Sequence, residues 1–276
     1  MSRAIITVAA LAALLLALPT AAPAFAADSA SAEAIGAGPA DRAGGWRPDV
    51  ERAREYARSR AGGVSFAFVD LEGRSHKYRA GETAPLASVF KTMLLAAYLR
   101  QKDVRDRDLR ERDRDLLGPM IRVSDNEAAT EVNSIVGAGA IERLAKRAGM
   151  RRFSYDPVVW GNSRGAPREL ARYIQRIDRV IPRHHRRYAR KLLSSIAPGQ
   201  RWGVGEARPT GWRLYFKGGW GSGTGLVNHQ IALLERGRCA VAMALFTTNS
   251  PSHSYGSKTL EGLASRLTKG IRGSGC

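Results

Sequence analysis

The stretch LVNHQIALLERGRCAVAMALFT, Leu226 to Thr247, holds two apolar runs, Leu226 to Leu234 and Cys239 to Thr247, parted at Arg236-Gly237. Each run has strand length and the break has turn composition, so the pair reads as two antiparallel strands. Just upstream Arg213 to Phe216 reads as a third strand, and downstream His253 to Thr268 reads as a closing helix. The other end of the chain supplies two more strands. Val64 to Val69 alternates as a half-buried strand, Glu72-Gly73 marks a turn, and Ser75 to Arg79 returns. Strand edges at both ends of the chain need partners, so the expectation is one five-stranded antiparallel sheet built from the two termini. Helices flank it and an all-helical subdomain is inserted. The fold class is therefore α/β of the α+β type, with its sheet part at about 46–87 and 212–276 and its helical part at about 88–211.

Helical composition dominates the insertion. Ser88 to Arg100 is a strongly apolar helix, and Leu116 to Val123, Glu127 to Val136, Ala140 to Ala148 and a segment after Pro167 are further helices. Lys102 to Asp115 alternates basic and acidic residues in equal number and reads as a solvated helical face. Pro48 to Arg60 has helical composition ahead of the first strand.

With 276 residues and 44% hydrophobic content the chain can bury a sizeable core. Its formal charge of +19 comes from 36 Arg and 8 Lys. The basic stretches Arg143 to Arg152 and Arg179 to Lys191 lack interleaved aromatics, and no zinc-finger, RNP or P-loop string is present, so nucleic acid is not expected as a partner. Anionic cell-wall polymers remain a candidate partner through the basic surface. Cys239 and Cys276 are too few for a disulfide scaffold, and no Cys/His cluster offers a metal site, so neither metal nor cofactor is expected. Arg3, the apolar run Ala4 to Leu18 and Ala24-Phe25-Ala26 read as a signal peptide over residues 1–26. A flexible leader over 27–45 follows, rich in Ala, Gly, Ser and Pro. The mature chain is expected to be secreted, monomeric and free of the membrane.

Three short strings carry chemistry. Ser88-Val89-Phe90-Lys91 sets a hydroxyl and an amine on one helical face, where a buried lysine can activate a serine. Ser124-Asp125-Asn126 lies at the junction of two helical segments, and Lys217-Gly218-Gly219 at the end of a strand. Alone, each has an ordinary explanation as a helix cap, an Asx turn or a glycine turn. In this order, they match the Ser-x-x-Lys, Ser-Asp-Asn, Lys-Thr-Gly set.

On these strings, and on Glu82 to Ser88, Ser124 to Ala129, Ala166 to Ala171 and Gly225 to Ala232, the chain resembles the class A β-lactamase group of penicillin-recognising serine enzymes. The likeness runs from Gly63 to the closing helix and implies a β-lactamase/transpeptidase-like fold. It further implies Ser88 as the acylated nucleophile, Lys91 as its proton acceptor and Ser124 as the donor to the leaving nitrogen. Asn126 would bind the substrate amide, and Lys217 would hold positive charge near Ser124 and a substrate carboxylate. Gly219 and Trp220 would line the substrate site, with the N–H groups of Ser88 and Trp220 as oxyanion hole.

Three departures from that family qualify the expectation. The interval from Ser88 to Ser124 is short, which opens one cleft wall. Gly218 stands where the family has Thr or Ser. The stretch from Tyr155 to Pro167 lacks the family's Glu-x-x-x-Asn loop, so the glutamate that activates water for deacylation is missing. Asp156 is the nearest substitute, against a turn-forming role before Pro157, and Glu169 reads as a helix first-turn acid. His184, His185 and His229 read as surface or structural, and Trp160, Trp202, Trp212 and Trp220 as core or cleft-wall residues. The expected protein is a secreted serine acyl-hydrolase acting on an amide or ester, with β-lactams and cell-wall D-alanyl peptides as the substrate classes. The alternative is a catalytically weak wall-binding or β-lactam-trapping protein that keeps the fold.

Overall fold

The strands form where the apolar runs lie. A computed structural model describes residues 46–221 and 226–271, which lie in one compact unit. The signal peptide, the leader and Cys276 fall outside the described residues; Cys239 is disulfide-bonded. In chain order come α1 (Val50–Arg58), β1 (Gly63–Val69), β2 (Ser75–Tyr78), β3 (Ala84–Pro85), a 3-10 turn (Ala87–Phe90), α2 (Lys91–Leu99), α3 (Glu111–Arg122) and α4 (Asn126–Arg147). After β4 (Arg164–Gly165) follow α5 (Pro167–Gln175), α6 (Ile177–Val180) and α7 (Arg186–Ser194). The chain then forms β5 (Arg213–Gly221), β6 (Val227–Arg236), β7 (Cys239–Thr248) and α8 (His253–Leu267).

The sheet is antiparallel in the order β2-β1-β7-β6-β5, so the two ends of the described chain meet at the β1/β7 pair. β6 and β7 pair down to Arg236↔Cys239, which leaves Gly237 and Arg238 as a two-residue turn. Gly237 takes φ 58°, the left-handed backbone such a turn requires. Consecutive residues of β1, β6 and β7 are buried, which demands cover on both faces; α1, α8 and α5 provide it. α2 is buried at all nine positions and forms the axis of the helical part, packed against α3 and α4.

Two sequence expectations need correction. Lys102 to Arg110 is a run of turns, and the helix begins only at Glu111. The charge run is not all solvated: Asp113 is buried, receiving Arg107 Nη1 at 2.6 Å and the Tyr98 hydroxyl at 2.7 Å, and these hold its carboxyl down at about 2. The two helices expected between Glu127 and Ala148 are present, as the two halves of α4 on either side of a break at Gly137. β5 runs five residues past Phe216, so Lys217-Gly218-Gly219 lies inside a strand and not in a strand-ending turn. The basic stretch Arg179 to Lys191 contains α7, whose Ala189, Leu192 and Leu193 are buried beneath its arginines. There Arg190 bridges Asp178 and Glu235, at 2.8 and 2.6 Å, and ties the helical part to β6.

Candidate active site

The 3-10 turn that precedes α2 presents Ser88, and Lys91 opens the helix itself. Ala87, just before Ser88, has φ 46°, and Ser124, at the α3/α4 junction, has φ 60°. A side chain in this left-handed region costs roughly 1–2 kcal/mol, so both corners of the site are held under strain by their surroundings. Asp125 caps α4 by accepting the Ala128 N–H at 2.8 Å, which fixes the turn that aims Ser124 and Asn126 inward.

Ser88, Ser124, Asn126 and Trp220 line one cleft of about 850 Å3. Lys91 and Lys217 are buried behind it. Lys91 Nζ lies 3.2 Å from Ser124 Oγ, donates to the Ser124 carbonyl and reaches Asn126 Oδ1 at 2.7 Å. Lys217 Nζ lies 3.0 Å from the same Ser124 Oγ and donates to the Gly218 carbonyl at 2.7 Å. One hydroxyl thus touches two amines. Burial pulls Lys91 down to about 7, opposed by the nearby Asp125 carboxylate. Burial, and then the Lys91 charge, pull Lys217 well below the usual lysine range.

Gly219 is where β5 presses on the 3-10 turn. A Cβ there would lie 2.7 Å from Val89 N and 2.8 Å from Ser88 N, so only glycine lets the strand approach. Its neighbour Trp220 is 37% exposed at the cleft mouth, where Val158 and Val159 also stand out to solvent. Trp160 closes another side, its ring 5.1 Å from Lys91 Nζ and its Nε1 donating to Thr130 Oγ1 at 3.1 Å.

Gly218 also has a local purpose. A Cβ on it would meet Trp202 Cζ2 at 3.1 Å, so the indole fills the space a side chain at 218 would need. Trp202 stands edge-on to Trp220 and to His253, with ring centroids 5.8 and 5.1 Å apart. Buried Gln230 fixes this loop, donating to the Trp202 carbonyl at 2.7 Å and accepting the Val204 N–H at 2.8 Å. The sequence reading missed Gln230, and treated Trp202 only as core or wall. The glycine at 218 was the signal, since a glycine inside a strand marks a close approach.

Among the described residues that line the cleft there is no Asp or Glu. Asp156 forms the turn, its Oδ1 accepting the Val158 and Val159 N–H groups, each at 2.9 Å. Glu169 stands in the first turn of α5, but its carboxylate accepts the Arg151 and Arg152 N–H groups at 3.1 Å and so holds the preceding chain. His229 is buried on β6, stacked on Phe246 and bonded to the Asn228 carbonyl; His185 is buried and His184 meets Asp108 on the surface. Trp212 is core. No group of three His, Cys, Asp or Glu among the described residues is placed to hold a metal ion.

Comparison with known proteins agrees with this architecture. The β-lactamase from Sphaerobacter thermophilus superposes with a TM-score of 0.70 at 20% identity, over 80% of this chain and 96% of that one. The chromosome-encoded β-lactamase of Vibrio parahaemolyticus gives 0.70 at 16% identity, over 81% and 99%. An ancestral class A β-lactamase gives 0.68 at 19% identity, over 80% and 99%. At these identities the likeness is one of fold. No curated protein matches by sequence. The profile of the β-lactamase enzyme family matches residues 112–271, from α3 through α8, beginning after Ser88 and Lys91 but including Ser124, Asn126 and Lys217. Since that match takes in more than half of the chain, the protein belongs to the β-lactamase enzyme family.

Proposed function

We propose that the protein is a secreted serine acyl-hydrolase that acylates readily at Ser88 and releases β-lactam products slowly. Family and fold support a serine hydrolase of β-lactam type. The observation that carries the finer reading is Ser124 Oγ held between two buried amines, at 3.2 and 3.0 Å, in the cleft that Ser88 lines. At pH 7 a substantial fraction of Lys91 is neutral. Its amine takes the Ser88 proton as Ser88 Oγ attacks the carbonyl carbon, and the N–H groups of Ser88 and Trp220 receive the oxyanion. On collapse the carbonyl–nitrogen bond breaks. The nitrogen takes the Ser124 hydroxyl proton, and protonated Lys91 restores it. Asn126 already gives its oxygen to Lys91, which leaves its NH2 for a substrate carbonyl.

The second half-reaction separates substrate classes. An opened β-lactam keeps its amine tethered over the ester, so water must arrive from the other face, and among the described residues no carboxylate lines the cleft to activate it. A peptide or ester leaving group departs and leaves room for water beside Lys91. Substrates of the cell-wall D-alanyl type therefore fit multiple turnover better than β-lactams do.

Rapid-quench intact-mass spectrometry with a penicillin at pH 7 tests this. The expected result is one covalent adduct that accumulates, with none for Ser88→Ala. Fast multiple turnover without adduct would overturn slow deacylation. No adduct with any lactam or ester would favour a wall-binding protein, a role the filled space above Gly218 also suits.

A further inference from the structure

Away from the cleft, the C-terminal end of α2 faces the second half of α4 across a pocket of about 600 Å3. The helix α4 is re-aimed to make it. Gly137 takes φ 70° and ψ 161°, and Gln101 Nε2 donates to the carbonyls freed at the break, those of Ile135 at 3.5 Å and Val136 at 3.3 Å. The redirected half then brings Arg143, Lys146 and Arg147 opposite Arg100 and Lys102.

Among the described residues, five cations line this pocket and no acid does. Among the described residues none of the five is paired with a carboxylate, whereas Arg74, Arg79, Arg107 and Arg190 elsewhere all are. Arg100 is half-buried and donates to the Val180 carbonyl at 3.2 Å. Burial and the facing charges of Arg147 and Arg105 hold its pKa below the usual arginine range. Helix ends explain only part of this. Each C-terminus carries roughly half a negative charge, so one cation per helix suffices for α2 and α4. The remaining three repel one another in a concave site.

We propose that this pocket binds a short run of phosphate groups, as the end or a bend of an oligophosphate or phosphodiester chain. Three guanidinium forks take phosphate oxygens in pairs and two ammonium groups act as point charges. A concave pocket suits a chain entering it better than the flat surface of a lipid bilayer.

The test is isothermal calorimetry with inorganic tripolyphosphate at about 50 mM salt, where exposed charges still act over more than 10 Å. The full chain should bind, and Arg143→Glu/Arg147→Glu should weaken binding at least 10-fold with its circular dichroism and its penicillin acylation unchanged. Arg172→Glu/Arg238→Glu removes the same net charge elsewhere and should weaken it less than twofold. If the first variant does not fold, Lys102→Ala/Lys146→Ala, both on exposed positions, should weaken binding at least threefold. No binding by the native chain, or equal losses in the pocket and control variants, would overturn the proposal. So would tight binding to vesicles containing anionic phospholipid that tripolyphosphate fails to displace, since that assigns the cations to a membrane.

Discussion

The indole of Trp202 occupies the side-chain space of Gly218, with Cζ2 only 3.1 Å from where a Cβ would stand. Installing the hydroxyl residue that the resembled family carries there must therefore displace a ring packed against Trp220 and His253, on a backbone that Gln230 pins. Gly218→Thr should lower stability by about 1–3 kcal/mol, the usual cost of overpacking. Adding Trp202→Ala should recover part of that loss, and a double-mutant cycle by urea unfolding should show coupling above about 0.5 kcal/mol. Simple additivity would mean that the ring moves aside freely.

In the proposed mechanism Lys91 sets the pH profile of acylation. Burial pulls its amine down to about 7, and by that mechanism it takes the Ser88 proton when neutral, so the acylation rate should rise with pH and level off above about 8. Asp125 opposes the shift, so Asp125→Asn should move the rising limb to lower pH. Stability should hold, because Asn caps a helix as well as Asp. Single-turnover adduct formation between pH 5 and 9 reads both. Lys91→Ala should slow acylation by about 100- to 10,000-fold.

His229 sets a limit on stability in acid. Burial pushes its ring down to about 4, below the value near 6.5 of an unfolded chain, with carbonyls of Asn228 and Pro85 partly offsetting the effect. Between those values the unfolded state binds the extra proton. The contribution is thus complete above pH 6.5 and is lost as pH falls toward 4, by about 3 kcal/mol. His229→Gln should flatten that part of the stability curve, whatever its effect at pH 8. Urea midpoints from pH 4 to 8 give the comparison.

Two carboxylates near the cleft can be separated from chemistry. Asp156→Asn keeps an oxygen for the Val158 and Val159 N–H groups and should leave both acylation and deacylation within about twofold. Glu169→Ala orphans the Arg151 and Arg152 N–H groups and should cost about 1–3 kcal/mol in thermal unfolding. Its deacylation rate should not change. A large deacylation defect in either variant, at intact stability, would place a deacylating base at that residue.

The sheet was legible because both ends of the chain carry apolar runs of strand length, and the meeting of Ser88, Lys91, Ser124, Asn126 and Lys217 at one cleft was legible because three strings recur in order. Local pattern went wrong where tertiary contacts override it. Lys102 to Arg110 has helical composition, yet the Arg107–Asp113 pair and the Tyr98 hydroxyl reward a coiled approach to α3. Phe216 looked like a strand end because glycines follow, when those glycines are there to admit Ser88 on one side and Trp202 on the other. Nothing local marks Gln230, a polar residue in an apolar run, as the clamp for a loop about 28 positions away. The break in α4 was half visible: Gly137 separated the two expected helices, but only Gln101 explains how the freed carbonyls are satisfied.

The left-handed backbone at Ala87 and Ser124 gives directed evolution two unequal handles. Glycine at either position would relieve the same torsional penalty, on the order of 1 kcal/mol, and a heat-selected library should find both. At 87 the exchange leaves every reacting group in place and loosens only the turn beneath Ser88. At 124 it deletes the hydroxyl that two amines share, so the hardier protein would be the inert one. Survivors of a screen on temperature alone and survivors of a screen on turnover should therefore agree at the first position and part at the second.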